Sequence, residues 1–195
     1  MGSDDIVSRL KADHAQAREQ LDAFATADGA SLQELFVKLA DALVRHEVGE
    51  EMVLYPVLRM EPGGSAIADA RVTEQSETVH LLAEMERMSV GSAEFADAFD
   101  TLRSTVNEHT YAEEEFVFPL LEEEEQEALL AEMGSRYAKL RDAVPRNAST
   151  DVAELARAIR ESAPGLTRKT VAADVPGTEP AVPGPAHGTG EEKAS

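Results

Sequence analysis

Apolar residues recur at the α-helical period in four long stretches, and nowhere does the chain alternate apolar and polar residues at the strand period for any length. Ile6, Leu10, Ala17, Leu21 and Phe24 form the first stripe, which stops near Asp28-Gly29. Ser31-Leu-Gln-Glu34 reads as a capping box opening a second helix, whose stripe of Leu35, Leu39, Leu43, Val53 and Val57 runs to Glu61-Pro-Gly-Gly64. A third helix spans about Ser65 to Val90 and stops at Gly91-Ser92. The fourth carries Phe95, Phe99, Leu102, Val106, Phe116 and Leu120; Pro119 is expected to kink or break it, and an acidic helical continuation reaches about Val144. Four amphipathic helices joined by short glycine-containing turns predict an all-α, antiparallel up-down-up-down four-helix bundle over residues 1–145.

The character of the chain changes after Pro145. Within residues 146–163, Asp151-Val-Ala-Glu154 starts a short accessory helix that ends near Ser162. Residues 164–195 are rich in Pro, Gly and Ala with almost no large apolar side chains, and read as a disordered tail.

Polar residues interrupt the apolar stripes in a repeated way. His46 and Glu50 continue the second stripe (Leu39, Leu43, His46, Glu50, Val53), and four residues of spacing stack them on one face. His109 and Glu113 do the same between Val106 and Phe116. His14 lies between Leu10 and Leu21, and His80 is central in the third helix beside Val79 and Leu81. The spacing is H-x31-HxxxE followed by H-x28-HxxxE, a duplication at the level of helix pairs. His46 and His109 are each followed nine residues on by an aromatic residue and a proline, Tyr55-Pro56 and Phe118-Pro119.

One HxxxE is a weak signal, and a single histidine in a core stripe is more often a satisfied structural residue than a ligand. Four of the chain's five histidines on four inward faces point instead to a metal site. Two buried carboxylates without cations would cost several kcal/mol each or be forced to protonate. Imidazole with carboxylate suits iron, manganese or zinc. The candidate ligands are His14, His46, Glu50, His80, His109 and Glu113, and His187 in the tail is assigned no role. Glu47 and Glu51 flank the first HxxxE at off-face angles and read as supporting or solvated, Glu47 being able to reach a metal's edge; Glu84 is a further candidate one turn after His80. Tyr55 and Phe118 are interchangeable at their matched places, so packing is expected of both.

Composition narrows the partners. A formal charge of −20 disfavours nucleic acid and anionic membrane surfaces. No apolar run is long enough to span a membrane, and the acidic N-terminus has no signal-peptide h-region. The absence of cysteine excludes thiolate ligands and disulfides, which suits a cytoplasmic protein.

The pattern H…HxxxE…H…HxxxE, with its two aromatic-proline pairs, resembles the hemerythrin-like (HHE cation-binding) family over about residues 4–144. That resemblance implies two iron ions in an oxo- or hydroxo-bridged centre inside the bundle, with manganese or zinc as lesser alternatives. His14, His46, His80 and His109 would be terminal ligands, and Glu50 and Glu113 would bridge. The chain departs from the oxygen carriers of that family: Ser76 and Glu84 stand where a second third-helix imidazole belongs, and His109-xxx-Glu113 replaces a His-x4-Asp pair. Fewer imidazoles favour the ferric state and open room for water or peroxide. The resemblance therefore implies small-molecule chemistry with hydrogen peroxide, oxygen or nitric oxide, either as turnover of peroxide or as a sensing module whose C-terminal helix and tail meet a protein partner. A ferritin-like arrangement is disfavoured: Glu77-Thr-Val-His80 supplies one Glu-x-x-His, but Leu43 and Val106 occupy the positions a second would need.

Overall fold

The computed structural model describes residues 4–29, 31–124, 127–145 and 151–162, so the 164–195 segment, with His187, lies outside the described residues. Among the described residues the chain is helical, without strands. α1 (Ile6–Thr26), α2 (Ser31–Leu58), α3 (Gly64–Met85) and α4 (Ala93–Ala112) form the expected bundle, each packed on the next. A π-helical turn, Glu113–Val117, carries α4 into α5 (Phe118–Glu124); α6 (Glu127–Ala143) lies on α1 and α2, and α7 (Val152–Ser162) on α2, α3 and α6.

Local chemistry accounts for the helix ends. The Asp5 carboxylate accepts the Ser8 N–H at 2.8 Å, the Ser92 hydroxyl oxygen accepts the Phe95 N–H at 3.1 Å, and Asp151 accepts from Glu154 at 3.0 Å. Gly63 and Gly91 turn the chain at φ +78° and +89°, where a side chain would be strained. The expected capping box at Ser31 does not form. Ser31 is already inside the helix, so its hydroxyl donates to the Asp28 carbonyl, and Glu34 pairs with Lys38.

α2 is the central element. Every residue from Leu43 to Glu50 is buried, more than two full turns. A helix covered on one stripe cannot do this; α1, α3, α6 and α7 together enclose it. The off-face residue Glu47 is consequently buried (3% exposed) rather than solvated.

The fourth stripe also differs from expectation. Phe116 is 64% exposed and Leu120 only partly buried, while Val117, Phe118 and Leu121 face the core. Within the π turn the Phe118 N–H reaches back five residues to the Glu113 carbonyl. One extra residue in the turn rotates all that follows by roughly 100°, which puts Val117 and Leu121 in the inward places that Phe116 and Leu120 would otherwise take. Far from the acidic centre, Phe24, Phe36, Phe95 and Phe99 pack with ring centroids 4.4–5.7 Å apart and close one end of the bundle.

Candidate metal centre

Six side chains from three helices and the π turn converge inside the bundle: His14 of α1, His46, Glu47 and Glu50 of α2, His109 of α4, and Glu113 opening the π turn. Their ligand atoms fall into two groups, each with all members within 4.8 Å of one another: His14, His46, Glu50 and Glu113, and then Glu47, Glu50 and His109. Glu50 belongs to both. Glu113 also faces both ways, with Oε2 3.3 Å from His14 Nε2 and Oε1 3.5 Å from His109 Nε2. His46 Nε2 stands 3.4 Å from Glu50 Oε1.

Those separations are long for charge-assisted hydrogen bonds, which lie at about 2.7–2.9 Å. They suit donors sharing a cation, because bonds of ~2.1 Å to one ion place adjacent ligand atoms roughly 3 Å apart. The Nε2 atoms of all three histidines, Glu47 Oε2, Glu50 Oε1 and Glu113 Oε2 are buried without a hydrogen-bond partner. Orphaned buried groups cost about 1–3 kcal/mol each, more when charged. Six pointing at one another are a set that cations between them would satisfy.

The far side of each imidazole is supported. His14 Nδ1 contacts Glu114 Oε1 at 2.8 Å, and Arg18 holds that oxygen at 3.0 Å. His109 Nδ1 contacts Glu74 Oε2 at 3.0 Å, and Arg71 holds Glu74 Oε1 at 2.6 Å. His46 Nδ1 meets the Tyr137 hydroxyl at 3.2 Å. A partner on Nδ1 fixes the tautomer that leaves the Nε2 lone pair facing inward.

The two carboxylates that face both groups, Glu50 and Glu113, are held too. Gln75 Nε2 donates to Glu50 Oε2 at 2.6 Å and to the Tyr55 oxygen at 3.0 Å, while the Tyr55 hydroxyl donates to Glu113 Oε1 at 2.5 Å. Burial, then the negative charges of Glu50 and Glu113, push the Tyr55 phenol well above its usual range, so it stays a neutral donor.

The electrostatics of the cluster express a demand for positive charge. Burial alone would lower His46, yet Glu50, the neighbouring Asp13, Glu47 and Glu113 outweigh it and raise the imidazole to about 9. His109 is likewise raised against its burial, chiefly by Glu113, whose own carboxyl is held well below the usual range by His109 and His14 despite burial. Burial dominates at Glu47 and brings it up to about 7, opposed by His109 and His46.

One expected ligand lies elsewhere. The His80 side chain is 77% exposed on the outer face of α3, 3.2 Å from the half-exposed Glu84, so neither joins the centre. The inner face of α3 presents Ala68, Gln75, Thr78, Leu82 and Met85. Position 80 is two residues from both Thr78 and Leu82, roughly half a revolution out. Gln75 stands on the site side of α3, and its spacing from Ala68 and Leu82 was the available signal. Tyr55, expected only to pack, donates to the buried Glu113 carboxylate, whereas Phe118 does pack, stacked on His14 at 5.5 Å and 19°. The second group holds a Glu47 carboxylate and no side chain of α3, the helix expected to supply the His80 imidazole.

Among the described residues no helix is long and apolar enough to cross a membrane. No solved structure matches the chain. An uncharacterised hemerythrin-like protein of Schizosaccharomyces pombe is 30% identical over 105 residues, covering 53% of this chain and 52% of its own, so the chain spans about half the length of this curated relative. Residues 5–121, which contain all six convergent side chains, match the hemerythrin HHE cation-binding domain, and the chain belongs to that family.

Proposed function

We propose that the chain holds two iron ions, one among His14, His46, Glu50 and Glu113 and the other among Glu47, Glu50, His109 and Glu113, and that this centre decomposes hydrogen peroxide. The observation that carries the reading is the set of three Nε2 atoms and three carboxylate oxygens, buried, unpartnered and convergent. The donor chemistry, nitrogen and oxygen without thiolate, suits iron in its ferric state. Three imidazoles against three carboxylates hold the iron more oxidised than an imidazole-rich oxygen carrier would, which disfavours reversible oxygen storage.

When bound, the iron pair supplies Lewis acidity and a two-electron store, so one peroxide gives up two electrons as another accepts them: 2 H2O2 yields O2 and 2 H2O. The chain's own residues hold the carboxylates still: Gln75 fixes Glu50 and Tyr55 fixes Glu113. Phe118 and the apolar core around it keep bulk water from the His14 side. The cysteine-free composition suits a cytoplasmic setting for such a centre.

Protein purified with native metal is expected to contain two irons per chain, to absorb in the near ultraviolet as a bridged ferric pair, and to evolve oxygen from added peroxide. Two irons without oxygen evolution would overturn the peroxide reading. A sensing role for oxygen or nitric oxide is the alternative, favoured by α7, whose Arg160 holds Glu51 at 2.7 Å beside the bridging residue Glu50. Truncation at residue 145 should then abolish ligand-dependent partner binding while leaving the metal in place, and unchanged partner binding would rule that role out.

A further inference from the structure

The third imidazole support comes from outside the matched domain. Asp13 Oδ2 approaches His46 Nδ1 to only 3.8 Å, beyond hydrogen-bond range. Tyr137 of α6 fills that gap, with its oxygen 3.2 Å from His46 Nδ1 and 2.6 Å from Asp13 Oδ2. Arg141, one turn further along α6, is paired with the other oxygen of Asp13. A carboxylate only accepts, so the single phenolic proton goes to Asp13 and the Tyr137 oxygen accepts from His46 Nδ1–H. That order leaves His46 Nε2 as a lone pair aimed at the centre.

The matched domain ends at residue 121, before α6 begins. Yet α6 is seated for this contact. A methyl group at Gly49, one residue before Glu50, would overlap the Tyr137 ring, and one at Gly134 would overlap the backbone of Asp4 to Ile6. At the far end of α6 the buried Arg45 guanidinium donates to the Arg141 and Val144 carbonyls at 2.7 and 2.9 Å, capping the helix. Leu130, Met133, Tyr137 and Leu140 give it a buried face.

We infer that α6 is a working part of the metal centre in this chain, with Tyr137, and Arg141 through Asp13, acting as positioning residues for His46. The inference rests on the proposal above that His46 Nε2 is a metal ligand. Outer partners of ligating histidines alter metal affinity by about 10–100-fold, and the hydroxyl of Tyr137 falls in that class, while its ring packs against Gly49.

The test uses the full chain stripped of metal and titrated with cobalt(II), whose visible spectrum reports coordination. Tyr137→Phe keeps the ring and removes only the hydroxyl. The expected result is unchanged helical content, an affinity roughly tenfold lower for one of two cobalt ions, and altered visible bands for that ion. A purely structural tyrosine would move neither affinity nor bands, so two cobalt ions bound with wild-type affinity and spectrum would overturn the inference. Should Tyr137→Phe lose helicity, Asp13→Asn decides by the same two readouts, because it leaves the ring in place. Failure of the wild-type chain to bind cobalt at all would instead sink the proposed ligand set.

Discussion

The helix pairs α1–α2 and α3–α4 carry the same motif and use it differently. In the first pair His14, His46 and Glu50 all face the centre; in the second only His109 and Glu113 do, and His80 points to solvent. Both pairs place an aromatic residue nine positions after the HxxxE histidine, yet Tyr55 hydrogen-bonds a carboxylate across the bundle while Phe118 stacks on an imidazole. Proline is common to both, so it does not make the difference. α2 ends two residues after Pro56, whereas the chain runs on past Pro119 as α5, after a π turn has rotated Phe118 inward. The lesson is that a repeated motif sets which residue types are offered, and the backbone register around it sets which of them arrive. The second pair's shortfall is met by α2, which supplies Glu47 as well as Glu50.

That asymmetry is sharpened most by removing ligands from each side. Glu50→Ala deletes one of the two carboxylates that both proposed ion sites share and is expected to weaken the binding of both ions. His46→Ala and His109→Ala should each remove most of the bound iron, with affinity losses exceeding the about 10–100-fold that an outer partner costs. Iron per chain by elemental analysis checks the series. Retention of wild-type iron by His109→Ala would mean that the second pair contributes no imidazole at all.

The next effect is a pH dependence of the metal-stripped chain, which arises from both sides of the comparison. His46 of the first pair titrates at about 9 in the fold against 6.5 in the unfolded chain. Its contribution is therefore full below pH 6.5 and lost as pH rises through 9. Glu47, raised from 4.5 to about 7, favours the fold in its neutral form, so its contribution also fades on going from pH 4.5 through 7. His109 shifts in the same direction as His46, and Glu113, lowered, contributes fully above pH 4.5 and loses that contribution only as pH falls below it, outside the window of His46. Urea melts of the chelated protein should show stability falling by a few kcal/mol between pH 6.5 and 9.5. Metal binding should show the reverse trend, tightening as the imidazoles lose their protons. A midpoint that stays flat across that range in the stripped protein would show that the cluster is not coupled to folding.

The bundle and most of its centre were legible because helical periodicity is a local property. His14, His46, Glu50, His109 and Glu113 sit in stripes whose apolar members are unambiguous. α3 misled because Val79-His-Leu-Leu-Ala83 is apolar on every side of His80, so neighbours in sequence suggested a shared face where the helix gives them different ones. The true register showed in Ala68, Gln75 and Leu82, where a glutamine does not advertise itself as core. Glu47 reads from sequence as supporting or solvated, with only the reach of a metal's edge, because its place 4.0 Å from His109 of α4 is a tertiary contact with no signature in the residues beside it. The π turn was invisible for a similar reason: one residue of slip leaves composition and spacing unchanged.

The matched aromatic positions offer a smaller contrast. Tyr55→Phe leaves the ring but strands a buried carboxylate oxygen of Glu113, and a hydrogen bond to a charged group is worth about 1.5–3 kcal/mol. Phe118→Tyr, the reciprocal change, forces a hydroxyl against a fully buried apolar wall and is expected to cost about 1–3 kcal/mol. If the two positions were equivalent, the double exchange would restore stability. With Tyr55 bonded to Glu113 and Phe118 stacked on His14, neither change repairs the other, so the double variant should be less stable than either single one, with a coupling of about 0.5–3 kcal/mol because His14 and Glu113 are themselves in contact. Thermal melts of the two single variants and the double variant distinguish these outcomes.

The smallest expected effect is the most pointed for the two-pair comparison. His80→Ala removes the histidine that the duplicated spacing would make a ligand, and Glu84→Ala removes its partner. Both side chains are at least half exposed and their contact is a surface pair four residues apart on a helix, so stability should move by no more than about 0.5 kcal/mol. Iron content, spectrum and peroxide turnover should match wild type. Loss of iron from His80→Ala would require α3 to turn by roughly half a revolution, carrying Gln75 away from Glu50 and Tyr55 and Glu74 away from His109. Gln75→Ala and His80→Ala therefore form an exclusive pair, since only one of the two positions can face the metal ligands in a single register of α3.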